Sequence, residues 1–135
     1  MKKVITYGTF DILHFGHLRL LERAKALGDY LVVGLSTDEF CKEKGKTTYY
    51  SYEERKYILE CIKFVDEVIP EYGFDQKFDD FKKYNIDTFV IGSDYKGSDK
   101  LNGIDKYCEL VILDRTPDIS TTELKGVVSK RKWKK

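Results

Sequence analysis

Five short apolar runs punctuate the chain, and the segments between them are polar or amphipathic. Val4-Ile5-Thr6-Tyr7 reads as a buried strand ending at Gly8. From His17 to Leu27, apolar residues Leu18, Leu20, Leu21, Ala24 and Leu27 recur at helical spacing, and Gly28 is placed to stop that helix. Tyr30-Leu31-Val32-Val33-Gly34-Leu35 is a second strand. It is continuous in apolar residues, as a parallel sheet covered on both faces requires. Residues 36–50 are polar and read as a mobile loop, with Lys42, Lys44 and Lys46 alternating around Gly45. Ser51-Tyr52-Glu53-Glu54 is a capping box that opens a helix, and Tyr57, Ile58, Cys61, Ile62 and Val65 keep its period. Val65 to Ile69 makes a third strand, closed by Pro70, and a polar helix follows over about 75–84. Thr88 to Ile91 is a fourth strand, ending at Gly92-Ser93-Asp94, and residues 95–106 read as loop or short helix. Leu110 to Leu113 is the fifth strand. A second capping box, Ser120-Thr121-Thr122-Glu123, opens the last helix.

This alternation predicts the α/β class: a single Rossmann-like domain with a five-stranded parallel sheet and helices on both faces. No repeat or low-complexity linker divides the chain, so one domain spans 1–129 and a basic tail occupies 130–135. A ligand site is expected beyond the carboxyl ends of the strands, where the strand order reverses.

Composition narrows the class. At 135 residues with 41% hydrophobic and 14% aromatic residues, the chain can build its own core. No apolar run is long enough to span a bilayer and no leader pattern opens the chain, so a soluble cytoplasmic protein is expected, without membrane insertion. Cys41, Cys61 and Cys108 have no zinc-ligand spacing and no CxxC pair, and read as reduced thiols. The net charge of +1 hides an asymmetry: the tail Lys130-Arg131-Lys132-Trp133-Lys134-Lys135 carries five basic residues, leaving 19 basic against 23 acidic elsewhere. The body is therefore no nucleic-acid binder by charge, and the tail reads as a solvated end.

The candidate chemistry collects at the strands' carboxyl ends. After the first strand comes Gly8-Thr9-Phe10-Asp11-Ile12-Leu13-His14-Phe15-Gly16-His17, which holds both histidines of the protein in one turn. After the second come Ser36, Thr37, Asp38 and the lysine loop; after the fourth, Ser93 and Asp94; after the fifth, Arg115, Thr116 and the Ser120 helix start. Cations, hydroxyls and backbone donors gathered at one rim suit a polyphosphate. A GxxxxGK[ST] loop and a GxGxxG fingerprint are both missing from the sequence, as is a Ser-centred nucleophile elbow. A P-loop enzyme, a dinucleotide fold of the usual kind and covalent catalysis are thus disfavoured.

The turn carries the HxGH signature of the nucleotidyltransferase superfamily, and Arg115-Thr116-Pro117-Asp118-Ile119-Ser120-Thr121-Thr122 looks like the RTEGISTT motif of the small cytidylyltransferases. The chain as far as about Gly126 resembles the bacterial cytidylyltransferases that act on glycerol 3-phosphate. The likeness includes Gly28-Asp29-Tyr30-Leu31-Val32-Val33, the Arg55 helix and Val65-Asp66-Glu67-Val68-Ile69-Pro70-Glu71. The chain departs from them at Pro117-Asp118, where the family has Glu-Gly, at Phe74, often tryptophan, and at Lys63, often arginine.

The resemblance implies an enzyme that moves CMP from CTP to sn-glycerol 3-phosphate, with Mg²⁺ on the nucleotide phosphates, a homodimer, and a product destined for teichoic acid or capsule. It implies catalytic roles for His14, His17, Lys46 and Arg115. CTP would be bound by Thr9, Phe10, His14, Phe15, Gly16, His17, Lys46, Asp94 and the run Arg115, Thr116, Pro117, Asp118, Ile119, Ser120, Thr121 and Thr122. Lys44, Lys77 and Arg55 would meet the acceptor, and no protein residue is assigned to a metal. From the residues alone, second readings stand beside these. The two histidines serve the local backbone, the lysines form a solvated run, Arg55 pairs with Glu54 or Glu71, Ser120 only caps its helix, and Asp11 either orients Thr9 or lies near a metal. Transfer to another phosphorylated acceptor, such as phosphoethanolamine, ribitol phosphate or a sugar phosphate, is the alternative within the same chemistry. A non-catalytic nucleotide-binding module is the alternative outside it.

Overall fold

A computed structural model of the chain describes residues 1–92 and 101–114. In chain order the elements are β1 (Lys3–Gly8), α1 (Phe15–Lys25), β2 (Tyr30–Ser36), α2 (Asp38–Glu43), α3 (Tyr52–Glu60), β3 (Glu67–Glu71), a 3-10 turn (Phe74–Gln76), α4 (Lys77–Lys83), β4 (Thr88–Gly92), a second 3-10 turn (Ile104–Lys106) and β5 (Glu109–Leu113). The five strands form one parallel sheet in the order β3-β2-β1-β4-β5. The direction of travel reverses at β1, which places the crevice between the carboxyl ends of β1 and β4.

Alternation along the strands divides the core in two. Val4, Leu31, Val33, Leu35 and Val90 face one side, where Leu21 and Ala24 of α1 and Leu59 of α3 cover them. Ile5, Val32, Ile69 and Phe89 face the other, under Phe81 of α4, Ile86 and Ile104. Helices on both faces and a parallel sheet are thus as the sequence pattern predicts. Among the described residues, no helix is long and apolar enough to cross a membrane.

Four local expectations change, the first being that the helix opened at Ser51 ends at Glu60, so Ile62 and Val65 lie beyond it. The stretch 36–50 is not all loop: α2 forms there, capped by Thr37, whose Oγ1 accepts from the Phe40 N–H at 3.1 Å. Pro70 does not close the third strand but sits inside β3, pairing with Leu35. It is tolerated because β3 is an edge strand, so one side of its backbone needs no ladder partner. The polar helix over 75–84 is a 3-10 turn followed by a shorter α-helix. The last helix, Asp94, the Arg115-to-Thr122 run and the basic tail lie outside the described residues.

Candidate active site

β1 and β4 are in register only at Val4–Thr88 and Ile5–Phe89. Beyond that point the two strands are no longer paired, and a cavity opens between Tyr7, Gly8 and Thr9 on one side and Phe89 and Ile91 on the other. Lys44, Lys46, Glu71, Phe74, Lys77 and Leu101 complete its lining.

The turn after β1 is strained. Phe10 and Ile12 both hold left-handed backbone, at φ 48° and 45°, a conformation that costs a non-glycine residue about 1–3 kcal/mol. Two anchors hold it. The Phe10 side chain is buried in the core beneath the sheet. The Asp11 carboxylate, also buried, accepts the backbone N–H groups of Tyr49 and Tyr50 at 2.6 and 3.0 Å, tying the lysine segment to the turn.

The two histidines close the N-terminus of α1 as a capping box. His14 is the N-cap and its Nδ1 accepts from the Gly16 N–H at 3.0 Å, while the Nδ1 of His17, at the third helical position, accepts the His14 N–H at 3.3 Å. The three-residue spacing is therefore the spacing of a capping box, with imidazoles in the places usually held by Ser or Thr and Glu. Each Nδ1 acts as acceptor, so in the neutral ring the proton sits on Nε2. Burial and the neighbouring His14 hold His17 down to a pKa of about 4, so it is neutral at pH 7. Gly16 is required by close approach: a Cβ there would stand 2.9 Å from His14 Cε1.

Lys44 and Lys46 flank Gly45, which takes φ 72°. The Gly45 N–H donates to Lys42 O at 3.0 Å and the Lys46 N–H to Cys41 O at 2.8 Å, a Schellman end to α2. The expected loop is corrected here, since the two lysines stand at the end of α2. A helix end delivers them to one cavity instead. Lys44 Nζ donates to Ser36 Oγ at 2.8 Å and lies 3.4 Å from Thr9 Oγ1. Burial lowers its pKa, and the charge of Glu71 opposes that shift. Lys77, nearly buried at the start of α4, faces Glu71 Oε2 at 3.5 Å and sits over the rings of Tyr7 and Phe74. Three lysines against one carboxylate leave the cavity a site for anions.

Arg55 does not present its charge to this cavity. It is 1% exposed. Its Nη1 donates to Thr9 O at 2.9 Å and Ser36 O at 2.8 Å, its Nε to Tyr50 O at 3.2 Å, and its Nη2 pairs with Asp38 at 2.9 Å. The cation in the first turn of α3 is thus compensated by three carbonyls and a carboxylate, none of them Glu54 or Glu71. The expectation that Arg55 meets the acceptor is corrected on that ground: it is the strut joining the ends of β1 and β2 to the lysine segment.

Comparison with known proteins agrees with this geometry. The family model described as cytidylyltransferase-like matches residues 5–127. The chain belongs to the cytidylyltransferase-like family. Within the family it is 61% identical over 125 residues to the glycerol-3-phosphate cytidylyltransferase of Bacillus spizizenii, covering 93% of this chain and 95% of that one. It is 54% identical over 125 residues to the enzyme of the same name from Staphylococcus aureus, covering 93% of each. Among solved structures, the lipopolysaccharide core biosynthesis protein of Thermoplasma volcanium superposes with a TM-score of 0.73 at 26% identity, over 86% of this chain and 98% of that one.

This cytidylyltransferase brings Thr9, Lys44, Lys46 and Lys77 to one cavity, and sets His14, Phe15, Gly16 and His17 on the helix that leaves the same turn. Phe15 is exposed at the first position of α1. The Phe10 ring does not face a ligand: it packs into the core and backs His17, with ring centroids 5.7 Å apart. The expectation of a CTP contact from Phe10 is thereby reduced to its backbone. Glu71 and Tyr7 are members of the site that sequence reasoning misses, and Ser36, which it places at the rim, is given no role there. Ser36 carries a signal, since it follows the second apolar run directly. Glu71 carries only its place after a proline at the end of a strand.

Proposed function

We propose that this cytidylyltransferase transfers the cytidylyl group of CTP to sn-glycerol 3-phosphate, giving CDP-glycerol and pyrophosphate. The observation that carries this reading is the 61% identity to an enzyme of that name over nearly the whole of both chains. The cationic cavity beside a histidine-capped helix start supports it.

The phosphate of the acceptor has a second pKa near ~6, so it is already an oxyanion at neutral pH and needs no general base. Its oxygen forms a bond to the α-phosphorus of CTP. The bond from that phosphorus to the bridging oxygen breaks, and pyrophosphate leaves with the electron pair. Lys44 and Lys77 hold the acceptor phosphate, while Lys46 and the Nε2–H groups of His14 and His17 serve the CTP phosphates. Neutral His17 donates a hydrogen bond without having to lose or gain a proton during the step. The amino-terminal end of α1 adds its dipole toward the same negative charge. Thr9, Phe15 and Gly16 shape the CTP side; Arg115, Asp94 and the Thr116-to-Thr122 run are proposed as its remaining contacts.

Mg²⁺ is proposed to enter on the CTP phosphates, where it neutralises charge. The cavity presents Lys44, Lys46 and Lys77, suited to phosphate oxygens, its carboxylate Glu71 is engaged by Ser36 and Lys77, and both oxygens of Asp11 already accept backbone N–H groups. No protein ligand for the metal is therefore assigned. A homodimer using the face of α3, where Tyr57 is exposed beside Tyr50 and Ile58, cytoplasmic residence with the CTP pool, and supply of CDP-glycerol to teichoic acid or capsule complete the reading.

The test is pyrophosphate release from CTP, ATP, GTP and UTP, each offered glycerol 3-phosphate, phosphoethanolamine and ribitol 5-phosphate. Release with CTP and glycerol 3-phosphate alone is expected. Release confined to ATP, or to a different acceptor, overturns the proposal.

A further inference from the structure

Glu71 is a carboxylate only 2% exposed, at the end of edge strand β3, in the wall of a cavity built to attract anions. An acidic group in that position works against anion binding unless it does something else. One of its oxygens is linked to Lys44 through Ser36, and the other faces Lys77. Oε1 accepts from Ser36 Oγ at 2.8 Å, and that same Oγ accepts from Lys44 Nζ at 2.8 Å. Oε2 faces Lys77 Nζ at 3.5 Å. The chain Lys44–Ser36–Glu71–Lys77 thus ties residues from α2's end, β2, β3 and α4 together, buried at Ser36, Glu71 and Lys77 and half-buried at Lys44. Two flexible lysine stems would otherwise have to be ordered by the ligand itself, at the cost of their rotamer entropy.

We propose that Glu71 is a positioning residue that holds Lys44 and Lys77 as a fixed pair for the acceptor phosphate. This rests on the reading of those two lysines as the acceptor's partners. Ser36 and Lys77 engage its two oxygens, and through them Glu71 is placed to act on the two lysines. The groups that act on Lys44 are Glu71 from β3, Lys46 and Cys41 from the α2 segment, and Lys77 from α4. Among them Glu71 is the carboxylate, so its removal leaves Lys44 among cations and a thiol.

The experiment compares steady-state kinetics of the full chain with Glu71→Gln, Ser36→Ala, Lys44→Ala and Lys77→Ala, with CTP and glycerol 3-phosphate varied separately. Loss of one charge-assisted link is expected to raise KM for glycerol 3-phosphate about tenfold in Glu71→Gln, with KM for CTP within about twofold. The basic limb of the pH profile of kcat/KM for glycerol 3-phosphate should also move to lower pH, which a merely structural carboxylate would not cause. Should Glu71→Gln fail to fold, Ser36→Ala reads the Lys44 arm alone and is expected to show a smaller rise of the same kind. If the lysine variants raise KM for glycerol 3-phosphate while Glu71→Gln and Ser36→Ala do not, the positioning role is overturned and the acceptor reading stands. If the lysine variants leave that KM unchanged, the acceptor reading falls and the role of Glu71 falls with it.

Discussion

The imidazole of His17 accepts the backbone N–H of His14 at 3.3 Å, and the two rings lie 4.2 Å apart. One nitrogen of each ring thus caps a helix while the other is its donor atom. The structural and the chemical readings of these histidines are not rivals, since they use different atoms of the same ring.

That separation of roles is testable at His14. Asn is among the best N-caps, and its side-chain oxygen can take over from Nδ1, but it has no counterpart to Nε2–H. His14→Asn is expected to keep its thermal midpoint close to the parent's and to lose about 10²-fold in kcat. His17→Ala is expected to lose about as much. Thermal melts beside turnover assays check both, and a stable, fully active His14→Asn would remove the donor role.

Gly16→Ala places a methyl group 2.9 Å from His14 Cε1. The ring has to move, and displacement of a positioned group by about 1 Å can cost on the order of 10²-fold in rate. Turnover should fall well before the fold fails. Circular dichroism shows whether the domain persists.

Arg55→Ala is a stability prediction. It strips partners from the carbonyls of Thr9, Ser36 and Tyr50 and leaves Asp38 without its cation. Asp38 is half exposed and keeps its solvent, so the loss falls on the buried carbonyls, where an acceptor left unsatisfied costs about 1–3 kcal/mol, read as a lower urea midpoint. Lysine should not restore it, because one ammonium cannot reach Tyr50 O, the Thr9 and Ser36 carbonyls and Asp38 together, as Arg55 does from Nε, Nη1 and Nη2.

Arg55 also marks where sequence reading stops. Strands β1, β2, β4 and β5, the two-sided core and the position of the histidine turn follow from local patterns that the chain repeats. In the sequence Arg55 looks like a cation waiting for an outside anion, because its partners come from three other segments of the chain. Helix α2 is hidden for a different reason. It is six residues long and only Phe40 and Cys41 are buried, too little to show a period. Its signals are Thr37 as cap and Gly45 as stop. Glu71 is invisible as a site residue because its role exists only through Ser36 and Lys77, which the fold brings together.

Stability should carry the signature of His17. An imidazole titrates near 6.5 in an unfolded chain, whereas in the fold burial and His14 hold His17 to about 4. Between those values the unfolded chain binds the extra proton. This contribution is therefore fully present above about pH 6.5 and is lost as the pH falls toward 4. Urea titrations from pH 7 to 4 should show a steeper decline in the parent than in His17→Gln. Equal slopes would place the ring in solvent.

Direct attack by an acceptor oxyanion on the α-phosphorus is tested by supplying glycerol 3-phosphate labelled with ¹⁸O in its non-bridging phosphate oxygens. After turnover with CTP, mass spectrometry of the products is expected to find all the label in CDP-glycerol and none in pyrophosphate. Label in pyrophosphate or lost to water, or CMP formed in place of CDP-glycerol, would contradict transfer by this route.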